Sequence, residues 1–321
     1  MWLASKSVSP VPAKTISAQA SLSGVAHDRV LDHPELGTIG WRMLGADHLP
    51  LVAVLGGISA GRDVDSWWAS VVGRGRPLDP ERFRILSFDW IDRLPDSTRA
   101  PGTPEQADVL EALRLECGAD GFHAVVGSSF GAMVALQYAA RHPDAVGQVV
   151  AISGAHRSTP TATAHRLLQR RIVTECGDAG VALARALALT GYRPETLLDR
   201  QFEHPDAASR LADLASYFEY NGRRFAERCD ARRYLVLSEA LDLHELDPTT
   251  IRCPVTLVGA ESDRLVPLKQ LVELQRRIGE QARLEVIESP FGHDAFLKSP
   301  ELINPLLTRA LRADEEACHA C

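Results

Sequence analysis

No stretch of the chain approaches the roughly 18 consecutive apolar residues of a membrane-spanning helix. Positive charge is not in excess either: 35 Lys and Arg against 42 Asp and Glu leave a formal net charge of −7, the opposite of the basic footprint of a nucleic-acid binder. Six cysteines, Cys117, Cys176, Cys229, Cys253, Cys318 and Cys321, are scattered over 321 residues instead of framing a small domain, which suits reduced thiols in a cytoplasmic protein. Residues 1–30 lack the continuous apolar core of a secretory signal and read as a Ser- and Ala-rich N-terminal extension. The end of the chain, CHAC, holds Cys318, His319 and Cys321. Half a metal site at a chain end is expected to be a tail over 313–321 with no metal. Internal repeats, low-complexity linkers and a phosphate-cradling glycine motif are missing too. What remains is a globular chain, 45% hydrophobic, whose partner is expected to be a small molecule with neither nucleic acid nor membrane involved.

Six apolar runs are each followed by a Gly-rich or acidic turn: LVAVLGG (51–57), FRILSFD (83–89), FHAVVGSS (122–129), VGQVVAISG (146–154), PVTLVGAESD (254–263) and RLEVIESP (283–290). Runs with little polar alternation suit strands covered on both faces, and the helical stretches between them imply a mainly parallel sheet in an α/β protein. Between about 155 and 250 the spacing is helical throughout, with no strand run. The expected organisation is a core over 31–154 and 251–312 with a helical cap over 155–250 at its ligand edge.

Gly127-Ser128-Ser129-Phe130-Gly131 fits G-x-S-x-G centred on Ser129, with a strand before it and the helical GAMVALQYAARH after it. Small flanking residues allow a sharp strand-to-helix turn that exposes the hydroxyl, and the helix that follows aims its first amides at a developing oxyanion. A serine hydroxyl needs a base and an orienting acid, expected in the order Ser, Asp, His. Asp263 follows the strand PVTLVGAES, and His293 lies in ESPFGHDAF after the next strand. Two backbone donors complete an acyl-transfer site. The Phe130 amide is one; the loop after VAVL supplies the other, with Leu55 as the expected donor and Gly56 next. Gly56, Gly57 and Gly61 fit an ordinary tight turn equally well.

At these residues the chain resembles the homoserine O-acyltransferases of the α/β-hydrolase fold. GSSFGAMVALQYA looks like that family's nucleophile elbow, YFEYNGRRFAERCDARRYLVLSEALDLHEL like its long signature, and GAESDRLVP and SPFGHDAFL like its acid and histidine motifs. LLQRRIVTE is similar to the segment that opens its cap. The resemblance implies a serine-dependent transfer from acyl-CoA, a co-substrate and not a bound cofactor, to homoserine, and a homodimer formed through the cap. Carried over by motif, Arg228 takes the homoserine carboxylate while Tyr234 and Asp294 hold its amine. Ser128 and Ala132 stand where the family more often has glycine, and SFDWIDRLPDSTRAPGTPEQ is shorter than the matching segment of the acetyl-transferring branch. The loop GGISAGR resembles a compact branch associated with succinyl transfer, which makes Arg62 a candidate for the distal succinyl carboxylate, with Arg223 and Arg224 as rivals. Arg166, Arg170 and Arg171 are candidates for the CoA phosphates. Acetyl-CoA as donor, serine as acceptor, a serine esterase or thioesterase, and a non-catalytic ligand-binding protein on the same fold stay open alongside succinyl transfer.

Overall fold

The structure is a computed structural model that describes residues 26–95 and 97–317. The greater part of the expected N-terminal extension and the Cys318, His319 and Cys321 cluster lie outside those residues. Eight strands of the described residues form one sheet: β1 (His27–His33), β2 (Gly37–Leu44), β3 (Leu51–Leu55), β4 (Arg84–Phe88), β5 (Ala124–Ser128), β6 (Val149–Ile152), β7 (Val255–Ala260) and β8 (Ala282–Ile287). The spatial order is β1-β2-β4-β3-β5-β6-β7-β8. β2 pairs antiparallel with both β1 and β4, and the remaining pairings are parallel. β1 begins at His27, inside the segment read as an extension. Its residues are mostly exposed, so an apolar-run criterion passes over it.

Eleven helices accompany these strands in the described residues: α1 (Val64–Trp67), α2 (Thr103–Glu116), α3 (Phe130–Arg141), α4 (Pro160–Cys176), α5 (Asp178–Tyr192), α6 (Glu195–Gln201), α7 (Ala207–Ala226), α8 (Ala231–Asp242), α9 (Leu268–Ile278), α10 (Ala295–Lys298) and α11 (Pro300–Ala317). Alternation along the strands divides the core. Leu51, Ala53, Leu55 and Val125 pack with residues of α2, α3 and α9 on one face, whereas Val52, Val54, Val126 and Val258 pack with α1, α10 and α11 on the other. With both faces covered, strands are buried at every position, as β3, β5 and β6 are.

Helices α4 to α8, over 160–242, sit between β6 and β7 as the cap. Thr159, Asp206 and Asp230 cap α4, α7 and α8 by accepting N–H groups from Ala162, Ser209 and Arg233. Gly222 lets α7 approach the Ala182 carbonyl of α5, where a Cβ would collide. Val173, Val181, Ala184, Cys229 and Tyr234 form the cap's own apolar cluster. Arg233 Nη1 donates to the Trp90 carbonyl at 2.9 Å, and His244 bridges Thr103 and the Ala155 carbonyl, so the cap is tied to the sheet edge. No helix of the described residues is long and apolar enough to cross a membrane.

Candidate active site

Ser129 sits at the junction of β5 and α3 with φ 54° and ψ −117°, a conformation L-residues avoid and that costs of order 1–3 kcal/mol. Three absent side chains make room for it. A Cβ at Gly127 would strike the Gly131 carbonyl, one at Gly131 the Leu55 carbonyl, and one at Gly154 would stand 2.9 Å from Ser129 O. The Ser129 N–H donates to Ile152 O at 2.8 Å, so β6 holds the turn while the hydroxyl projects over the end of the sheet.

Two strand-end loops deliver the partners. Ser129 Oγ lies 2.8 Å from His293 Nε2, and His293 Nδ1 lies 2.8 Å from Asp263 Oδ2. The other Asp263 oxygen accepts the N–H groups of Leu265 and Val266 at 2.9 and 3.0 Å, which fixes the carboxylate and leaves Oδ2 for the ring. With Nδ1–H donating to Asp263, Nε2 presents its lone pair to the serine proton. Burial pulls the His293 pKa down, but the charge and hydrogen bond of Asp263 outweigh it and hold the ring above its usual 6.5. His293 stands in a 3-10 turn beside Gly292, whose φ of +57° and close approach to Tyr192 O, 2.6 Å from a hypothetical Cβ, leave no room for a side chain. The histidine loop therefore abuts the end of cap helix α5.

The expected oxyanion donors, Phe130 and Leu55, both stand at the elbow. Phe130 N–H is the first of α3 and has no intrahelical acceptor. Leu55 is the last residue of β3, is 1% exposed, and is paired in register with Gly127, so it braces the elbow from within the sheet. Gly56 accepts the Gly131 N–H at 2.8 Å and braces it too. The residue facing the hydroxyl is Gly57: a Cβ there would stand 3.8 Å from Ser129 Cβ and 3.9 Å from Oγ. Its carbonyl takes Ala60 N–H at 2.9 Å and Trp90 Nε1–H at 3.0 Å, which fixes the loop over Ser129.

A cavity between sheet and cap opens at Ser129 and His293 and is also lined by Tyr234 and Asp294. Tyr234 is buried and donates its hydroxyl to Gln169 Oε1 at 3.0 Å; burial raises its pKa. Asp294 pairs with Arg193 Nε at 3.5 Å. Arg228 does not reach the cavity. It follows the end of α7, exposed, while its neighbour Cys229 turns inward. Arg62 is also elsewhere, held between Asp89 at 3.5 Å and Asp28 at 3.8 Å beside β1, β2 and β4. Arg223 and Arg224 are exposed on α7, and Arg171 is exposed and pairs with Glu175. Arg170 sits behind the cavity wall on Asp242.

Of the CoA candidates, Arg166 lines the cavity, in company with Arg157, His165 and Arg185, which sequence reasoning did not select. Arg157 is bound to Glu273 at 3.0 Å. Arg185 has no carboxylate partner among the described residues; its guanidinium lies 5.0 Å from the ring centres of both Tyr192 and Phe225. Tyr192 in turn stands 5.6 Å from the His293 ring. The signal for both was present in GVALARALALTGY: Val181, Ala184 and Ala188 form the buried face of α5, and 185 and 192 fall beside it at helical spacing.

The chain matches the family described as alpha/beta hydrolase fold over residues 50–300. It is 41% identical over 293 residues to a protein of Xanthomonas campestris named homoserine O-succinyltransferase, covering 86% of this chain and 79% of that one. It is 30% identical to a homoserine O-acetyltransferase of Mycolicibacterium paratuberculosis, over 80% of this chain and 77% of the relative. The crystal structure of esterase E22 superposes with a TM-score of 0.78 at 18% identity, covering 89% of this chain and all of that one; at that identity the likeness is one of fold. These relationships, together with the elbow and its two strand-end partners, place the protein among enzymes of acyl transfer. The chain belongs to the homoserine O-acyltransferase family of the α/β-hydrolase fold.

Proposed function

We propose that the protein is a homoserine O-succinyltransferase working through a Ser129 acyl-enzyme. The observation that carries the reading is that, besides Arg157 on Glu273, two further guanidiniums face the cavity that holds Ser129: Arg185 with no carboxylate partner among the described residues, and Arg166, which shares Asp242 with Arg170. Succinyl transfer to homoserine brings two carboxylates to one serine, the amino acid's own and the distal one of the acyl group; acetyl transfer brings one. The 41% identity to a succinyltransferase against 30% to an acetyltransferase points the same way.

In the first step His293 Nε2 takes the Ser129 proton as Oγ attacks the thioester carbonyl. The Phe130 and Gly57 amides receive the oxyanion, and Asp263 stabilises the imidazolium. Collapse of the tetrahedral adduct breaks the C–S bond; the thiolate of CoA leaves with the proton from His293. Homoserine then enters with its carboxylate on Arg185, a forked cation suited to a planar anion, and its ammonium at Asp294. His293 deprotonates the side-chain hydroxyl, the new alkoxide attacks the acyl-serine, and the proton returns to Ser129 Oγ as O-succinylhomoserine departs. The cap shields the ester from water, which separates a transferase from an esterase with the same three residues.

Tyr234 is left as a wall residue that orients Gln169, with Tyr192 the tyrosine nearer the reacting atoms. The homodimer that the resemblance implies, and a cytoplasmic location, belong to this proposal as well. Leu211 and Tyr220, 69% and 58% exposed on α7, mark the cap face available for assembly.

The test is CoA release by purified protein with succinyl-CoA or acetyl-CoA, each alone, with homoserine and with serine, beside Ser129→Ala. Release with succinyl-CoA that depends on homoserine and vanishes in the variant is expected. Preference for acetyl-CoA, preference for serine, or release indifferent to either amino acid would each overturn the corresponding part of the reading.

A further inference from the structure

Behind the cavity wall, Asp242 at the end of α8 gathers groups from α4 and the loop before it. Its Oδ1 accepts Arg166 Nε–H and the Thr163 hydroxyl, each at 2.8 Å, and lies 2.6 Å from Arg166 Nη2. Its Oδ2 accepts from Arg170 Nη1 at 2.6 Å. Arg166 Nη2 also donates to Ser158 Oγ at 2.7 Å, and the Ser158 hydroxyl donates to Leu241 O at 2.7 Å. Arg170 Nη1 reaches Ser238 O and Oγ at 3.0 and 3.1 Å.

Two features set this cluster apart from a staple between α4 and α8. The first is charge. Two guanidiniums share one carboxylate, and neither has another carboxylate partner among the described residues, so one positive charge is in surplus. It is surplus where water is scarce: the side chains of Arg166, Arg170 and Asp242 are 13%, 15% and 6% exposed. A staple needs one arginine, and burying a second cation is unfavourable unless an anion meets it.

The second is orientation. Arg166 and Ser158 line the cavity whereas Asp242 and Arg170 do not. The Nε and Nη2 edge of Arg166 is committed to Asp242 and Ser158, which leaves Nη1 as its uncommitted donor group.

We propose that Asp242 is a positioning residue for the acyl donor: by gripping the inner edge of Arg166 it fixes Nη1 to receive the distal carboxylate of a succinyl thioester, with Arg170 keeping the cluster one charge positive. The proposal rests on the reading of the protein as a succinyltransferase with Arg166 at the acyl group. A guanidinium fixed before the substrate arrives loses little freedom on binding. Asparagine at 242 would keep the shape but offer one acceptor oxygen where two serve now, turning its NH2 toward a guanidinium.

The experiment is steady-state transfer to homoserine from succinyl-CoA and from acetyl-CoA by wild type, Arg166→Met, Asp242→Asn, Asp242→Glu and Ser158→Ala. For Asp242→Asn the KM for succinyl-CoA is expected to rise about 10- to 150-fold, the range for a lost hydrogen bond to a charged group, with acetyl transfer changed less than about threefold. Asp242→Glu should recover part of the loss, and Ser158→Ala, which frees one bond of the same Nη2, should move the donor ratio the same way by less. An unchanged donor ratio in Asp242→Asn, or a parallel loss with both donors that follows the fall in Tm, would reduce the cluster to a staple. If Asp242→Asn does not fold, Ser158→Ala decides, and an unaltered donor ratio there overturns the proposal. Wild type indifferent to the succinyl group, or Arg166→Met retaining its preference, would instead sink the underlying reading.

Discussion

Arg185 offers the sharpest single perturbation. It is a cation on the cavity wall with aromatic rings on two sides and no carboxylate partner among the described residues, so in the proposed complex its partner is the amino-acid carboxylate. Arg185→Met keeps an unbranched side chain of polarizable atoms against Tyr192 and Phe225 while removing the charge. Hydrogen bonds to a charged group are worth about 1.5–3 kcal/mol, so kcat/KM for homoserine should fall about 10- to 150-fold. Two contacts at 5.0 Å, each worth about 0.5–1 kcal/mol at a partly exposed site, are lost from the cap as well, and a thermal melt reports that loss separately. The discriminating assay is stopped flow in two halves. CoA released in the first turnover without homoserine measures acylation and should be unchanged within about twofold. The homoserine dependence of the second half should carry the whole effect. Equal damage to both halves, or an unchanged KM for homoserine, would refute the assignment of Arg185 to the acceptor.

Asp263→Asn removes the charge and hydrogen bond that hold the His293 pKa above 6.5 and leaves burial, which lowers it. His293 acts as a base when neutral, so the acid limb of the kcat/KM profile should lie above pH 6.5 in wild type and move to lower pH in the variant, with activity down roughly 10³- to 10⁴-fold; a limb that stays in place would contradict the pairing. Gly131→Ala would press a Cβ on the Leu55 and Gly56 carbonyls and push the oxyanion loop aside, lowering kcat about a hundredfold or more as read in the transfer assay. His244, fully buried between Thr103 and the Ala155 carbonyl, has its pKa pushed down to about 3 by burial. The folded state refuses a proton that the unfolded chain takes up near pH 6.5, so stability is complete above that pH and declines below it. The contribution is about 2 kcal/mol between pH 6.5 and 5. Urea unfolding across that window should show the slope, and His244→Gln should flatten it.

Much of the site was legible because its chemistry is local. The strand-turn-helix of Gly127 to Gly131 needs small residues in sequence, and Asp263 and His293 each follow an apolar run, so chain order alone places all three at one sheet edge. The oxyanion loop was readable as a loop, while the close approach of Gly57 to Ser129 comes from the fold and not from composition. The arginines failed for a different reason. Arg62 is neutralised by Asp28 and Asp89, a contact across β1, β2 and β4 that no spacing announces. Arg228 lies in a matching motif, yet the end of α7 turns Cys229 inward in its place. Arg185 belongs to no motif, and an arginine beside the apolar face of a helix has the same spacing whether it meets a cavity or solvent. Helical spacing without a strand run over 155–250 corresponds to α4–α8, whereas exposed β1 left no apolar signal.

The claim on which the rest depends is that Ser129 carries the acyl group. Intact-protein mass spectrometry after brief mixing with succinyl-CoA in the absence of homoserine tests it directly, with peptide mapping to locate the adduct. The expected result is a mass increase of one succinyl group on Ser129 that disappears when homoserine is added and never forms in Ser129→Ala. An unmodified Ser129 under conditions where CoA is being released, or an adduct that homoserine leaves in place, would contradict it.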